Sequence, residues 1–553
     1  MSDFFANELR HNELREQLLL KLSCIKNSIP PQVTVLEGLS GKEKRNRALR
    51  PIIFEIVRVC EAAFYQRDMS LSKNSKVEYK ACRIFTGKFY ESYPIRWLQD
   101  FVADWLVDYG RCDVDKYKNY TYVVGSFVYD ALLDRILSPR HTLMCFRNGV
   151  VDMKDMKLVP HSYKHHVVKM YDFNWNPKAS CPVWKAFLGV PHHVMQKDVI
   201  GVLPEASKRA VLQKFLGASF IDRKEVRFEY FLILYGDGAN GKSVIKDVLE
   251  GIFGKDEVLP NLDLGQLTRM GDEKLRAMDS MDGKRISYCT ELNLGHLKQP
   301  ETLKILSSGE STVGRGIGEN IRVIEDIPLI ICNTNRKMSD KDSLPKDSPT
   351  DESVSRRLLL ISFDKILSER ERNPEIVQLL LKEKEGIFMW MIRGYKRLKY
   401  DKWKITESLE GRIDKVRMAL NSQALVGGKK VSGSVSEYLK FKGLSPVQDE
   451  EYAHEFLIDF AVLYMNYLEF CKKNGVSENI SCTREKFGRN MTLLGYNKRT
   501  DIGKTNTTAY IVYANNPERR VLTNSVPSII EELNVDALLR EARFEEEEFE
   551  DID

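Results

Sequence analysis

Near the start of the chain, Leu14, Leu18, Leu22 and Ile25 recur at the spacing of one helix face, and residues 97–107 repeat that pattern. The period then changes. From Asn148 to Leu188 the apolar runs become short and β-prone, broken by turn residues. A helix is predicted over Lys208–Leu216. The unbroken apolar run Phe231–Tyr235 then reads as a buried strand. An amphipathic helix follows, with Val244, Ile245, Val248, Leu249 and Ile252 on its apolar face. Further apolar strands are predicted at 285–290, 328–332 and 358–363, separated by helical stretches. Alternation of this kind predicts an α/β domain built on a mostly parallel sheet. Helices are expected over 374–400. The Gly/Ser-rich stretch 421–436 reads as a linker, and 451–513 as a helical and then hairpin-like module.

The strand at Phe231–Tyr235 runs into Gly236-Asp237-Gly238-Ala239-Asn240-Gly241-Lys242-Ser243. This is the G-x-x-x-x-G-K-[ST] phosphate loop, set between a strand and a helix as its mechanism requires. Backbone N–H groups of such a loop, with the helix N-terminus behind them, form a nest for phosphate oxygens. Lys242 is placed to reach the β- and γ-phosphates of ATP, and Ser243 to ligate Mg²⁺. The second apolar strand ends in Glu291, an acid that can hold the Mg²⁺ shell or polarise an attacking water. The third ends in Asn333-Thr334-Asn335, where a neutral amide can orient that water. The fourth is entered through Ser355-Arg356-Arg357, where an arginine can serve as a finger for a neighbouring subunit's site or stand as a solvated pair.

At 553 residues, 43% of them hydrophobic, the chain has material for about three or four domains. No apolar run reaches the length of a membrane span, and the charged start MSDFFANELRHNELR is not a secretory signal. Ten scattered cysteines without a C-x-x-C pair indicate reduced thiols rather than a zinc site. The net charge of +5 conceals an asymmetry: residues 472–504 carry eight Lys/Arg against three acids, whereas the end reads EEEEFEDID. A basic module followed by an acidic tail points to a polyanionic partner and a solvated end.

Taken in order, these segments resemble the helicase half of poxvirus- and phage-type primase-helicases, members of helicase superfamily 3. FRNGVVDMKDMKLVPHS with Cys181-Pro182-Val183-Trp184 and Phe187-Leu188 is similar to the adapter that precedes the ATPase; GDGANGKS resembles the Walker A loop and GKRISYCTEL the Walker B strand. LSSGESTVGRGIG resembles the approach to a DNA-contacting hairpin, IICNTN the sensor strand with Asn335 at the best-matching amide, DESVSRRLLLISF the finger motif, and EGIFMWMIRGYKRL a helical lid. Tyr467, Cys471, Asn474-Gly475, Phe487-Gly488-Arg489 and Gly495 resemble an appended winged helix. Thr290 stands where many members carry a second acid.

The resemblance implies an α/β fold: a P-loop AAA+ ATPase core with a helical N-terminal domain and a C-terminal winged-helix domain. The implied divisions are 1–140 (a collar or partner-binding domain), 141–200 (a β-rich adapter), 201–400 (ATPase with lid), 401–450 (linker), 451–520 (winged helix) and 521–553 (acidic tail, expected to be disordered). It implies an ATP- and Mg²⁺-dependent replicative DNA helicase of a virus, phage or mobile element, acting 3′→5′ on single-stranded DNA as a hexameric ring. The resemblance likewise implies action in the bacterial cytoplasm or the host compartment of replication. Lys242, Glu291 and Asn335 of one subunit would be completed by Arg357 of its neighbour. Arg315 and Arg322 would meet the single strand. Arg484, Lys486, Arg489, Lys498, Arg499 and Lys504 would meet duplex origin DNA. The acidic tail or the N-terminal domain is expected to dock a replication partner. The alternative is an origin-binding initiator whose ATP site drives assembly. Asp113 and Asp115 have D-x-D spacing, but no buried strand precedes them, so a primase site is not expected.

Overall fold

The computed structural model describes residues 2–23, 42–65, 67, 69–71, 77–108, 117–138, 142–190, 199–267, 271–290, 300–317, 320–335, 355–421, 423–426, 429–446, 454–476, 481–502 and 507–514. The chain divides into two units, residues 1–177 with 317–320, and residues 178–316 with 321–553.

In the first unit, α1 (Ser2–Ser23) and α2 (Lys42–Val59) precede β1 (Ala62–Tyr65), β2 (Ala81–Phe85) and β3 (Tyr90–Pro94). Helices α3 (Ile95–Asp108) and α4 (Tyr117–Leu133) and strand β4 (Ile136–Leu137) follow. The strands form a sheet in the order β3-β2-β1-β4. Leu14, Leu18 and Leu22 of α1 are buried with Ile53, Leu98, Trp105 and Val128. The N-terminal region is mainly helical as expected, but it also carries a four-stranded sheet that the sequence pattern did not predict. Its strands are two to five residues long, too short to stand out against the helical periodicity around them. Of the stretch 148–188 read as β-prone, only the part up to Val159 is strand: β5 (Leu143–Phe146), β6 (Gly149–Asp152) and β7 (Lys157–Val159) form a meander, while residues 182–187 are helical. The Asn148 amide closes the segment by donating to Trp175 O and accepting from Trp175 N, at 3.0 and 2.9 Å.

The second unit opens with α5 (Pro182–Phe187) and α6 (Ala206–Gly217). Then come β8 (Phe231–Tyr235), α7 (Lys242–Phe253), β9 (Val258–Leu259), α8 (Asp272–Ser280), β10 (Ile286–Cys289) and α9 (Pro300–Ser308). A hairpin of β11 (Thr312–Gly314) and β12 (Arg322–Ile324) leads to β13 (Leu329–Thr334) and β14 (Leu358–Ser362). The sheet runs β9-β10-β13-β8-β14, and every pairing in it is parallel. The phosphate-loop strand β8 thus has β13 and β14 as neighbours, while β10 lies one strand further out. Phe231, Ile233 and Tyr235 face a cluster with Cys332, Met278 and Leu303, and the alternate residues Leu232 and Leu234 are buried on the other face.

Helices α10 (Ile376–Leu381), α11 (Lys384–Tyr400) and α12 (Leu409–Asn421) complete this layer. Gly394 lets α11 approach α6 closely, since a Cβ there would lie 2.1 Å from Gln213 O. Glu383 caps α5, its carboxylate accepting from the Val183 and Trp184 N–H groups at 3.0–3.2 Å.

The stretch read as a linker is structured. Gln423–Val426 pairs antiparallel with Lys429–Ser432, and α13 (Gly433–Phe441) starts directly after. Strand β15 (His454–Asp459), α14 (Phe460–Lys473), α15 (Arg484–Leu493), β16 (Asn497–Ile502) and β17 (Thr507–Ala514) follow, with β17 pairing both β15 and β16. Tyr438, Tyr467, Phe470, Phe487, Met491 and Tyr510 form this module's core. Among the described residues no helix is long and apolar enough to cross a membrane. The acidic tail lies outside the described residues.

Candidate nucleotide-binding site

The loop at the C-terminal end of β8 needs unusual backbone. Gly236 has φ +139° and a Cβ there would lie 2.4 Å from Phe363 O, while Gly241 has φ +87° and closes on Phe187 and Val202. Ala239 takes a left-handed φ of +63°. The Asn240 amide nitrogen donates to Phe363 O at 2.9 Å, and Leu367 N donates to Ala239 O at 2.9 Å. The loop is thus fastened to the segment that leaves β14. Asp237 and Gly238 are exposed at its crest.

Lys242 begins α7 and is buried; its ammonium donates to Gly236 O at 2.6 Å and to Asn240 Oδ1 at 2.9 Å. Burial draws its pKa down to about 8, with the nearby Asp237 pulling the other way. Ser243 is exposed in the first turn. A loop that curls around its own lysine, with a hydroxyl open to solvent beside it, fits a triphosphate with Mg²⁺. Beside the loop lies a cavity of about 240 Å³, its lining including apolar Phe187, Ile200 and Leu367 and polar Glu371, Arg372 and Asn373. An apolar slot with a few polar groups is what a nucleobase needs.

Glu291 lies outside the described residues. Asn335 is exposed at the tip of β13, whereas Asn333 is buried within the strand and accepts from Tyr288 OH at 3.0 Å. The same hydroxyl lies 3.2 Å from Lys242 O, so Tyr288 of β10 joins β13 to the first turn of α7. Sequence reasoning passed over Tyr288 because nothing local distinguishes it from an ordinary strand residue.

Arg357 enters β14 at the end of the sheet remote from the phosphate loop. Its guanidinium is buried and paired with Glu229 at 3.3 Å, while Arg356 beside it is exposed, 3.8 Å from the same carboxylate. Within one chain neither reaches Lys242, since β14 runs parallel to β8.

The hairpin arginines are held within the chain. Arg315 pairs with Asp272 at 2.5 Å, and Arg322 spans Asp279 and Asp282 at 2.8 and 2.6 Å. Both thereby brace the hairpin on α8, and its exposed side chains include Val313, Ile317, Ile321 and Val323. On the C-terminal module, Thr483 caps α15, which presents Arg484, Lys486 and Arg489 to solvent; Arg484 lies over the Phe460 ring. Lys498 is exposed on β16, Arg499 is on the same strand, and Lys504 lies outside the described residues.

Residues 125–190 match the family model described as D5 N terminal like. Solved structures similar to this chain include the apo structure of the NrS-1 C terminal region, at 14% identity over 84% of this chain and 98% of that one, with a TM-score of 0.42. The A form apo structure of the same region aligns at 13% identity over 84% of this chain and 99% of that one, with a TM-score of 0.41. No curated protein matches the chain.

Proposed function

We propose that this protein is an ATP-driven DNA helicase of the primase-helicase type, serving replication of a virus, phage or mobile element. The observation that carries this reading is the phosphate loop folded around Lys242 at the end of β8, with an apolar base-sized cavity against it. The D5-type match over residues 125–190 and the ordered motifs after it support the family. Lys242 and Ser243 hold the triphosphate and Mg²⁺, Glu291 and Asn335 act on metal and water, and an arginine of the β14 entrance reaches the next subunit's site. The sequence points to Arg357; its burial against Glu229 makes the exposed Arg356 the easier one to present to a neighbour. Head-to-tail subunits related by a closing rotation form a ring, here a hexamer moving 3′→5′. The hairpin and the basic face of α15 and β16 are the nucleic-acid contacts, for single-stranded and duplex DNA respectively.

The test is strand displacement by the full chain. Lys242→Ala is expected to abolish hydrolysis and unwinding while its circular dichroism is kept; a variant that still unwinds overturns the assignment. ATPase per subunit is expected to rise with protein concentration and with added oligonucleotide. Turnover without unwinding at any concentration would favour the initiator reading, for which the exposed cations of α15 also speak.

A further inference from the structure

Lys208 is a buried cation that the proposed chemistry does not use. Its side chain is 1% exposed, yet its ammonium reaches Ser362 Oγ at 2.6 Å, Asp364 Oδ2 at 2.8 Å, Glu205 Oε1 at 2.8 Å and Glu410 Oε2. Burial alone would lower its pKa; the three carboxylates outweigh that and hold it above the usual lysine range. Glu205, Asp364 and Glu410 are grouped like cation ligands, but the ammonium already lies among them.

Two of these partners flank Phe363, whose carbonyl holds Asn240 and through it Lys242. A third, Glu410, belongs to α12. One turn on, that helix touches the phosphate-loop strand: Tyr235, the last residue before Gly236, donates from its hydroxyl to Asp414, and both side chains are buried. Gly411 lies between these contacts, and a Cβ there would come within 2.8 Å of Leu360 O, so α12 sits directly on β14. The far end of the same helix belongs elsewhere: Leu420 is in the core of the C-terminal module, and Val416 packs against it.

We propose that Lys208, Tyr235 and Asp414 are positioning residues that make α12 a strut between the phosphate loop and the C-terminal module, so that each responds to the other's ligand. The proposal deepens the reading above and rests on it for the identity of the ligands. Coupling between two sites through one shared rigid element must be reciprocal. A slack linker at this position would carry none.

The experiment uses the full chain with Tyr235→Phe and, separately, Asp414→Asn, which stays close in shape. The affinity for a slowly hydrolysed fluorescent ATP analogue is measured with and without a short DNA duplex. In the wild type the duplex is expected to change that affinity about 5-fold or more. In both variants the ratio should fall towards one, with the duplex-free affinity kept within about 3-fold. An unchanged ratio, or a wild-type ratio of one, overturns the strut. A ligand-free arm separates this failure from failure of the functional reading. Amide exchange of Asp414→Asn is expected to quicken both at 236–243 and at 433–441, and acceleration on one side only overturns the strut whatever the chain binds. Absence of nucleotide protection at 236–243 in the wild type would instead sink the functional reading.

Discussion

Lys242 and Asn240 hold each other across the mouth of the phosphate loop, the lysine ammonium donating to the asparagine side-chain oxygen at 2.9 Å. The asparagine's other atom donates to Phe363 O, so the loop lysine is aimed by a strand far along the sequence. Removing Asn240 should therefore loosen the loop without unfolding it. Asn240→Ala is expected to weaken ATP binding about 10-fold, the order of one lost hydrogen bond to a charged group, in a calorimetric titration. Unaltered affinity would show that the loop is held by its backbone alone.

The depressed pKa of Lys242 gives a pH dependence with a defined sign. Below about 8 the ammonium is charged in the empty loop and ready for phosphate; above it the neutral amine prevails, and binding must first take up a proton. Triphosphate affinity should therefore fall between pH 8 and 10, by up to about tenfold per pH unit. Lys242→Arg stays charged and should flatten that slope. A slope equally steep in both proteins would assign the titration elsewhere.

Arg322 pairs with Asp279 on α8 and with Asp282 in the turn just past that helix, and its loss removes both ion pairs. Arg322→Ala is expected to cost about 1–3 kcal/mol in denaturant unfolding. Ile317, by contrast, is 83% exposed at the hairpin tip. Ile317→Ser should leave stability within about 0.5 kcal/mol while lowering unwinding. Normal unwinding by this variant would move the single-strand contact off the tip.

Duplex DNA binding by the C-terminal module should show the mark of phosphate contacts. Arg489→Ala with Lys504→Ala is expected to weaken binding and to reduce the slope of log affinity against log salt by about 2. An unchanged slope would reduce the basic face to a solvated surface.

At Gly394 there is no room for a methyl group against the backbone of Gln213. Gly394→Ala should cost about 1–3 kcal/mol at an unchanged denaturant m-value. A neutral substitution would mean that α11 and α6 separate easily.

The sheet was legible where its strands are long and wholly apolar. Phe231–Tyr235 is a strand over the predicted residues, and the three later strands differ by a residue or two. The short strands of the first unit were not, because four residues such as Ala62–Tyr65 carry no period that a helix lacks. The predicted linker failed for a related reason: its glycines and serines mark a tight strand pair and a helix start as readily as slack chain.

By itself the sequence determined the phosphate loop, since a nest of backbone amides needs glycines, a lysine and a hydroxyl at fixed local spacing between a strand and a helix. Only the tertiary structure decided which charges are spoken for. Arg315, Arg322, Arg357 and Lys208 read alike as basic residues, yet each meets carboxylates brought to it by the fold, some more than 150 positions away. Whether a cation binds a ligand or holds the protein together depends on those distances, which strand order and helix packing set and no local pattern encodes.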